Sequence, residues 1–307
     1  MRPKRSVHTP AARHILLLTN PGAGSTDQAA IDAAIAVWHD AGAAVARRDL
    51  TEQSQVWVDD AASGAYDRVV LAGGDGTVHR VVSTLTAHGD LSALTLAVLP
   101  LGTGNDYARS AGLPADPRAA ARVALRGARR PVDLLRDDRG VVAVNAAHIG
   151  LGALAAERAH AMKEMMGPLA YLGGALLAGA SMADYPIRVQ VDGADATEDG
   201  QRLLMVGLSM GRTIGGGAPL APEARVDDGL VDVVLVSATG AAARAAFARS
   251  LQQGSHVDRD DVRVVRGRSV VIHGGDAPLN VDGELLGPAG TRAWMVVPDA
   301  WAIVVPD

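Results

Sequence analysis

A short apolar run, three glycines, a carboxylate and a hydroxyl occupy residues 68–77, directly before a helical pattern. Residues 69–72 are apolar and include two valines, which is typical of a strand buried on both faces. Apolar residues then recur at helical spacing at Val78, Val81, Val82 and Leu85. The sequence therefore predicts a strand, a glycine loop and a helix in direct succession. The residues predicted in the loop are Gly73, Gly74, Asp75, Gly76 and Thr77.

The residue types of this glycine loop indicate metal-nucleotide chemistry. Glycines allow a ligand to approach the backbone, and the N–H groups that open the following helix bind phosphate oxygens. Asp75 would repel a polyphosphate unless a cation such as Mg²⁺ lay between the two negative charges. The motif taken alone leaves a second interpretation open, in which it is an ordinary tight turn with a solvated Asp75.

Two further apolar runs, at 14–19 and 94–99, are also followed by loops rich in glycine and polar residues. Helical patterns separate the strands, and this alternation predicts a parallel sheet with right-handed crossovers. In open α/β sheets ligands bind beyond the carboxyl ends of the strands, which is where these loops must meet. We therefore expect a nucleotide site at the meeting point of the three loops.

The chain changes character near 129–131, where we expect a domain boundary. The predicted first domain is 1–130, with a flexible tail at 1–13, and the second is 131–307. Helical patterns in the second domain are limited to 153–183 and 241–252, whereas strand-like runs occur at 132–135, 141–149, 187–191, 202–208, 230–236, 262–265, 269–273 and 279–281. The last two runs, 293–297 and 302–305, either complete this domain or pack back on the first.

These patterns predict the fold class. The N-terminal domain is expected to be α/β, with a mainly parallel sheet flanked by helices. Many short strands with few helices between them predict a mainly antiparallel β-sandwich in the C-terminal domain, with a helical insert at 153–183.

Composition narrows the classes of partner. The 307 residues carry a net charge of -5, which argues against a nucleic-acid binder, because such a protein needs a basic face. No cysteine is present, so disulfides and thiolate metal sites are excluded. The apolar stretch at 167–183 is shorter than a membrane-spanning helix and contains glycines. No transmembrane segment is therefore expected.

The ordered set of motifs resembles the diacylglycerol kinase catalytic family, which includes bacterial lipid kinases and sphingosine kinases. The resemblance extends over most of the chain. Its motifs are Asn20-Pro21 with Gly24, the glycine loop 73–77, a second phosphate loop at 101–108, Pro131 to Asp133 with Asn145, the segments 215–217, 221–222 and 227–232, and the acidic motif 281–284.

The resemblance implies transfer of the γ-phosphoryl group of ATP to a lipid hydroxyl, with diacylglycerol or a related lipid as acceptor, in a cleft between the domains. It implies that Asp282 is the general base, with Glu284 as its catalytic neighbour, and that Mg²⁺ is held through Asp75, Asp106, Asp133 and Glu284. The nucleotide-binding residues implied by the resemblance are Asn20, Gly24, Gly73, Gly74, Asp75, Gly76, Thr77, Gly102, Thr103 and Asn105. A cytoplasmic enzyme of phospholipid biosynthesis, in peripheral contact with the membrane surface, is the corresponding expectation.

Several alternatives stay open at this point. The acidic motif 281–284 is also what a hairpin turn between two strands would contain. NAD kinases share the Gly-Gly-Asp-Gly motif, so a soluble acceptor is a second hypothesis, and a non-catalytic lipid- or nucleotide-binding regulator is a third. The first loop, 21–25, lacks the lysine that many relatives carry. The sequence does not decide between a monomer and a homodimer.

Overall fold

The computed structural model describes residues 7, 10–20, 27–89, 91–150, 184–238 and 240–307. The chain divides into two compact units. The first contains the chain up to Asp133 together with Val226–Asp228 and Pro298–Asp307, and the second contains Leu134–Arg225 and Gly229–Val297. The predicted helical insert at 153–183 and most of the first glycine loop, including Gly24, lie outside the described residues.

The first unit is built from alternating strands and helices around a parallel sheet. Strand β1 (His14–Thr19) lies between β2 (Ala44–Asp49) and β3 (Arg68–Gly73). Strand β4 (Thr95–Pro100) follows β3, and the end of the last strand, β16 (Glu284–Val305), runs parallel to β4 on its other side. The predicted parallel α/β fold is therefore confirmed. Its elements are β1 His14–Thr19, α1 Gln28–Asp40, β2 Ala44–Asp49, α2 Ser54–Ala62, β3 Arg68–Gly73, α3 Asp75–His88, β4 Thr95–Pro100, α4 Asp106–Ser110 and α5 Pro117–Arg126.

Local sequence explains how these helices begin and what they bury. The side chain of Asp27 accepts a hydrogen bond from the N–H of Ala30 and so caps α1. Helix α1 buries Ile31, Ala34 and Trp38 against the sheet, as the spacing of these residues predicts. The indole N–H of Trp38 donates to a main-chain carbonyl on α5 at 2.9 Å, so this buried aromatic satisfies its polar atom.

The second unit is an antiparallel, β-rich unit, as predicted. Its main sheet has the order β14 (Val262–Gly267), β13 (Val231–Val236), β12 (Met205–Ser209), β7 (Ala146–Gly150) and β15 (Ser269–Val281). Strand β15 also pairs with β9 (Arg188–Val191) and with the first part of β16. The remaining elements of the chain are β5 Ala128–Asp137, β6 Val142–Ala143, β7 Ala146–Gly150, β8 Tyr185–Pro186, β9 Arg188–Val191, β10 Ala194–Asp195, β11 Arg202–Leu203, β12 Met205–Ser209, β13 Val231–Val236, α6 Ala241–Gln253, a 3₁₀ turn His256–Asp258, β14 Val262–Gly267, β15 Ser269–Val281 and β16 Glu284–Val305.

The main sheet of the second unit buries both faces in its central part. One face carries alternate residues such as Val206, Val233 and Leu279 into a large apolar core. The opposite face packs Met205 and Val234 against α6 and the segment around 218–224. Helix α6, which the alanine-rich pattern at 241–252 predicts, therefore covers one face of this sheet.

The separate strands predicted at 269–273 and 279–281 were wrong, because β15 is continuous. The glycines and proline between them resemble strand breakers in sequence. The hydrogen-bonded pairing of β15 with β16 instead continues past these residues, with register shifts between His273 and Gly275 and between Gly275 and Pro278. In the same way the two predicted C-terminal runs are parts of one long strand, β16.

Candidate functional site

Asp75 lies at the start of α3 and not in a loop. The helix begins at Asp75 with Gly74 as its N-cap, so the five-residue loop predicted at 73–77 was wrong in its extent. Gly73 ends β3, and Asp75, Gly76 and Thr77 form the first helical turn. A glycine carries no signal that separates a strand end or helix start from a loop. The free N–H groups and the positive end of the helix dipole therefore lie at the carboxyl end of β3, a position called the corner below.

The loops that follow β3 and β4 touch each other through their backbones. A Cβ atom on Gly102 would overlap the Cα atom of Gly74, and one on Gly74 would lie 2.9 Å from the Cα atom of Gly102. The N–H of Leu101 also donates to the carbonyl of Gly73 at 3.1 Å. Only glycine fits at both contact positions. The close approach of the two loops therefore requires glycine at 74 and 102 whether or not a ligand binds there.

Asn105 closes the second loop on itself. Its side-chain oxygen accepts from the N–H of Gly102 at 3.0 Å, and its amide nitrogen donates to the carbonyl of Gly102 at 2.6 Å. Asn105 has φ 52° and ψ 40°, a left-handed conformation that asparagine tolerates better than most residues. The side chain therefore shapes the loop, while its backbone begins α4.

The two carboxylates of this corner hold defined partners. Asp75 accepts a hydrogen bond from the N–H of Tyr107 at 2.9 Å, at the N-terminus of α4. Asp106 is buried and pairs with Arg109 at 2.9 Å, and Arg109 also donates to the carbonyl of Gly104. Sequence reasoning missed Tyr107 and Arg109. The spacing of Asp106 and Arg109 on one helix was a usable signal for their ion pair.

Tyr107 is fixed from the other side by an aromatic contact. Its ring stacks on Trp301, with ring centroids 5.5 Å apart and an interplanar angle of 26°. Both rings are about 1% exposed. The first turn of α4, and with it the donor to Asp75, is thus held by the core of the first unit.

The corner has room for an anionic ligand beside the start of α3. Gly76 is exposed, and a Cβ atom added to it would meet no atom within 4 Å. Thr103 is exposed as well, whereas Thr77 is buried below the turn. Asn20 is half-buried at the end of β1. A helix N-terminus with an open glycine is suited to bind phosphate oxygens, so these residues fit a nucleotide.

Asp282 occupies a tight turn in the second unit. Val281 pairs with Glu284, which leaves Asp282 and Gly283 as a two-residue turn between β15 and β16 with φ of 47° and 98°. The hairpin interpretation of the sequence is therefore correct as a description of the backbone. A chemical role remains compatible with this turn, because the turn holds the Asp282 carboxylate in a defined position.

Three main-chain N–H groups bind the Asp282 carboxylate. Its Oδ2 accepts from Val144 at 2.6 Å, and its Oδ1 accepts from Asn145 at 2.9 Å and Ala146 at 2.8 Å. The N–H of Asp282 donates back to the carbonyl of Ala146 at 2.9 Å. These bonds fix the orientation of the carboxylate against the segment between β6 and β7.

Asn280 and Asn145 complete the surroundings of Asp282. Asn280 is 1% exposed, and its side-chain oxygen accepts from the N–H of Gly283 at 3.0 Å, which fastens the turn. The side-chain amide of Asn145 donates to the carbonyl of Thr213 at 3.0 Å. Glu284 begins β16 and is exposed. Sequence reasoning missed the role of Asn280, although an asparagine three residues before a turn glycine is a usable signal.

The residues predicted as metal ligands do not form a ready-made cage. Asp133 is 1% exposed, and its carboxylate accepts from the N–H of Asp299 at 2.9 Å. In the part of the chain that the structure describes, no group of three or more histidine, aspartate or glutamate side chains is arranged to hold a metal ion. A cation at this site would therefore take some of its oxygen ligands from phosphate and water, which is usual for Mg²⁺.

Two family models match the chain. Residues 14–136 match the diacylglycerol kinase catalytic domain, and residues 145–305 match the YegS C-terminal NAD kinase beta sandwich-like domain. Together the matches include the corner around Asp75 and the turn at Asp282.

Similar proteins carry names of the same kind. A "Probable lipid kinase YegS-like" protein of Xanthomonas campestris is 33% identical over 272 residues, covering 85% of this chain and 86% of the relative. Proteins of the same name from Stenotrophomonas maltophilia and Pseudomonas aeruginosa are 31% and 35% identical, covering 88% and 72% of this chain and 88% and 71% of their own. A solved structure from Bacillus anthracis, described as a diacylglycerol kinase, has a TM-score of 0.73 at 22% identity, covering 96% of this chain and 98% of its own, which is a likeness of fold.

Among the described helices, none is both long enough and apolar enough to cross a membrane.

Proposed function

Because the chain belongs to the diacylglycerol kinase catalytic family, among its YegS-like lipid kinases, we propose that it transfers the γ-phosphoryl group of ATP to the hydroxyl of a lipid of the diacylglycerol type. The observation that carries this proposal is the corner formed by Gly74, Gly102 and Asp75, where two loops meet at an open helix N-terminus. Phosphoryl transfer depends on positioning and charge neutralisation, and such a corner supplies both.

The proposal assigns nucleotide binding to the first unit. Its glycine-rich positions and small polar side chains would hold the phosphates through main-chain N–H groups and hydroxyls. When bound, Mg-ATP supplies the phosphoryl group, and its cation neutralises charge that carboxylates would otherwise repel. The residues proposed for this role are Asn20, Gly24, Gly73, Gly74, Asp75, Gly76, Thr77, Gly102, Thr103 and Asn105.

The proposed ligands of the cation are Asp75, Asp106, Asp133 and Glu284. Their carboxylates are hard oxygen donors of the kind that Mg²⁺ prefers. Asp75 is the member best supported by geometry, because it is half-buried at the mouth of the α3 helix and is oriented by the N–H of Tyr107. The other three would act with it through water or phosphate oxygens.

Asp282 is proposed as the general base that accepts the proton of the acceptor hydroxyl. A general base must be ionised and oriented before the reaction. The three N–H groups from the segment 144–146 fix the direction of its carboxylate. Glu284, two residues along at the start of β16, would assist it from the exposed end of the hairpin.

The test is transfer of labelled phosphate from Mg-ATP to lipids in mixed micelles, with diacylglycerol, monoacylglycerol, ceramide and a sphingoid base as acceptors. We expect a phosphorylated lipid, with diacylglycerol as the best acceptor. Absence of any lipid product would refute the lipid kinase proposal. Phosphorylation of NAD without detergent, in the same preparation, would instead support a soluble acceptor. Mass spectrometry of copurifying apolar ligands would identify the natural acceptor class.

A lipid acceptor implies work at a membrane surface. We propose a cytoplasmic enzyme of phospholipid metabolism that contacts the membrane peripherally. Fractionation of cell lysates, with a wash at high salt, tests this: the protein should divide between soluble and salt-extractable membrane fractions. Retention in membranes after a salt wash would contradict a peripheral contact.

A further inference from the structure

Helix α5 carries a row of arginines that the kinase proposal does not use. Arg118, Arg122 and Arg126 lie four residues apart, so they share one side of the helix. All three are exposed. At 1.5 Å rise per residue the row spans about 12 Å. We refer to these three residues as the arginine stripe.

The other side of α5 fixes which way the stripe faces. Ala120, Ala121, Ala124 and Leu125 are at most 3% exposed and pack in the apolar core of the first unit. The helix is also capped at its start by Asp116, which accepts from the N–H of Ala119 at 2.7 Å. Since the buried side cannot leave the core without loss of apolar contacts, the stripe stays on the surface.

The guanidinium groups of the stripe lie without direct polar contacts to the described part of the chain. Among the residues that the structure describes, the three guanidinium groups of the stripe have no hydrogen bond or ion pair with the protein. Two carboxylates, those of Asp40 and Asp307, line a hollow of about 500 Å³ that Arg122 and Arg126 also line. These carboxylates lower the net charge near Arg122 and Arg126, so the charge of the stripe is partly compensated.

The stripe stands out against the charge of the whole chain, which is -5. Three exposed cations on one side of a short helix concentrate positive charge on an otherwise acidic protein. Between them on the helix are the partly exposed apolar residues Ala119 and Val123, and the arginine side chains have apolar stems themselves. A cationic surface with apolar residues interspersed is suited to the headgroup layer of an anionic bilayer.

We propose that the arginine stripe of α5 docks the protein on bilayers that contain anionic phospholipids. A bilayer is favoured over a nucleic acid because nucleic-acid binding requires a wider basic footprint than three arginines on an acidic protein. Each arginine near an anionic bilayer strengthens partitioning about fivefold, so three together contribute about 100-fold. Only the role of this docking in catalysis depends on the proposed lipid kinase function. Binding of the stripe to the bilayer does not depend on it.

The experiment is sedimentation of the full chain with vesicles, without ATP. Phosphatidylcholine vesicles are compared with vesicles that also contain phosphatidylglycerol. The test variant is Arg118→Gln with Arg122→Gln and Arg126→Gln. The matched control is Arg13→Gln with Arg136→Gln and Arg249→Gln, which removes the same charge from exposed arginines on other elements.

We expect the wild-type protein and the control to bind the anionic vesicles, and the stripe variant to bind them roughly 100-fold more weakly. Binding should weaken with added salt, because the Debye length shortens to about 8 Å at physiological ionic strength. Equal losses in both triple variants would overturn the proposal, since net charge alone would then explain binding. Absence of wild-type binding to anionic vesicles would overturn it too.

Two further arms separate this proposal from its alternatives. Duplex DNA added as a competitor should not displace the protein from vesicles; tighter binding to DNA than to vesicles would overturn the bilayer assignment. Kinase activity is measured separately on lipid dispersed in neutral detergent micelles. There the stripe variant should match the wild type, so loss of activity in all proteins would refute the kinase proposal and leave the docking result intact.

Discussion

The carboxylate of Asp75 accepts a hydrogen bond from the main-chain N–H of Tyr107, at 2.9 Å and across 32 residues of sequence. The bond ties the first turn of α3 to the first turn of α4. Both turns therefore present their N–H groups in a fixed relation, which a phosphate-binding corner requires. The same carboxylate is the one we propose to face the cation, so its structural and chemical roles can be separated by substitution.

Asp75→Asn should separate these roles. Asparagine keeps an oxygen for the N–H of Tyr107 but removes the charge, so the free energy of unfolding should stay near the wild-type value while affinity for Mg-ATP falls. Asp75→Ala removes both the charge and the oxygen that accepts from the N–H of Tyr107, so it should lower the free energy of unfolding by about 1.5–3 kcal/mol. Calorimetric ATP titrations and denaturant unfolding measure the two effects. Unchanged Mg-ATP affinity in Asp75→Asn would remove Asp75 from the metal site.

Gly102→Ala should destabilise the protein by about 1–3 kcal/mol, because the new methyl group would overlap the backbone at Gly74. Gly76→Ala is the matched control. Its methyl group meets open space on the first helical turn, so stability should rise by up to about 1 kcal/mol. If Gly76 approaches phosphates, nucleotide affinity should nevertheless fall in this variant. Thermal unfolding and nucleotide titration together test both statements.

Asp282→Asn should lower turnover by about 10²–10⁴-fold, the usual contribution of a general base. ATP binding should be unchanged. Asparagine would also present an N–H₂ group to one of the N–H donors of the segment 144–146, so some loss of stability is expected. Turnover is therefore measured well below the unfolding temperature of the variant. Wild-type turnover would refute the assignment of the base.

The buried ion pair of Arg292 with Asp137 is expected to matter for stability and not for chemistry. The two side chains are 8% and 0% exposed, so Arg292→Met would leave a buried unpaired carboxylate at a cost of about 3–5 kcal/mol. Adding Asp137→Asn should recover part of this loss, because its oxygen still accepts from the N–H groups of Arg139 and Val141. Denaturant unfolding of Arg292→Met, of Asp137→Asn and of the double variant tests the coupling. Additive losses would contradict it.

Stability should fall on mild acidification because of His256. Burial lowers the pKa of this histidine, and the hydrogen bond to the carbonyl of Leu220 and the charge of Asp258 only partly oppose the effect. The unfolded chain then binds a proton at pH values where the native protein does not. The full free energy of unfolding is therefore present above pH 6.5. Stability is lost as the pH falls below 6.5 toward the native pKa of His256, because only the unfolded chain binds the proton in that range.

The measurement is the free energy of unfolding between neutral and mildly acidic pH, for the wild type and for His256→Gln. Glutamine keeps a donor for the carbonyl of Leu220 but does not titrate. The wild type should lose up to about 1.4 kcal/mol more per pH unit than the variant. Equal slopes would show that His256 does not titrate on unfolding in this range.

The sequence by itself determined the elements and much of the fold class. Strand β1 has the predicted bounds, and α1 buries Ile31, Ala34 and Trp38, which recur at helical spacing. These signals are local, because side-chain periodicity follows the geometry of the element that carries it. The glycines and proline within β15 led to the wrong prediction of two separate strands. In the structure the pairing with β16 continues past them through register shifts.

For the candidate site, the motifs selected Asp75, Gly74, Gly102 and Asp282, but only the tertiary structure decided what touches them. Tyr107 donates to Asp75 across 32 residues, and Val144 donates to Asp282 across 138. Such partners are main-chain groups, which every residue possesses, so no side-chain pattern marks them. The physical reason for the limit is that residue type fixes which chemistry is available, while long-range folding fixes which backbone groups orient it.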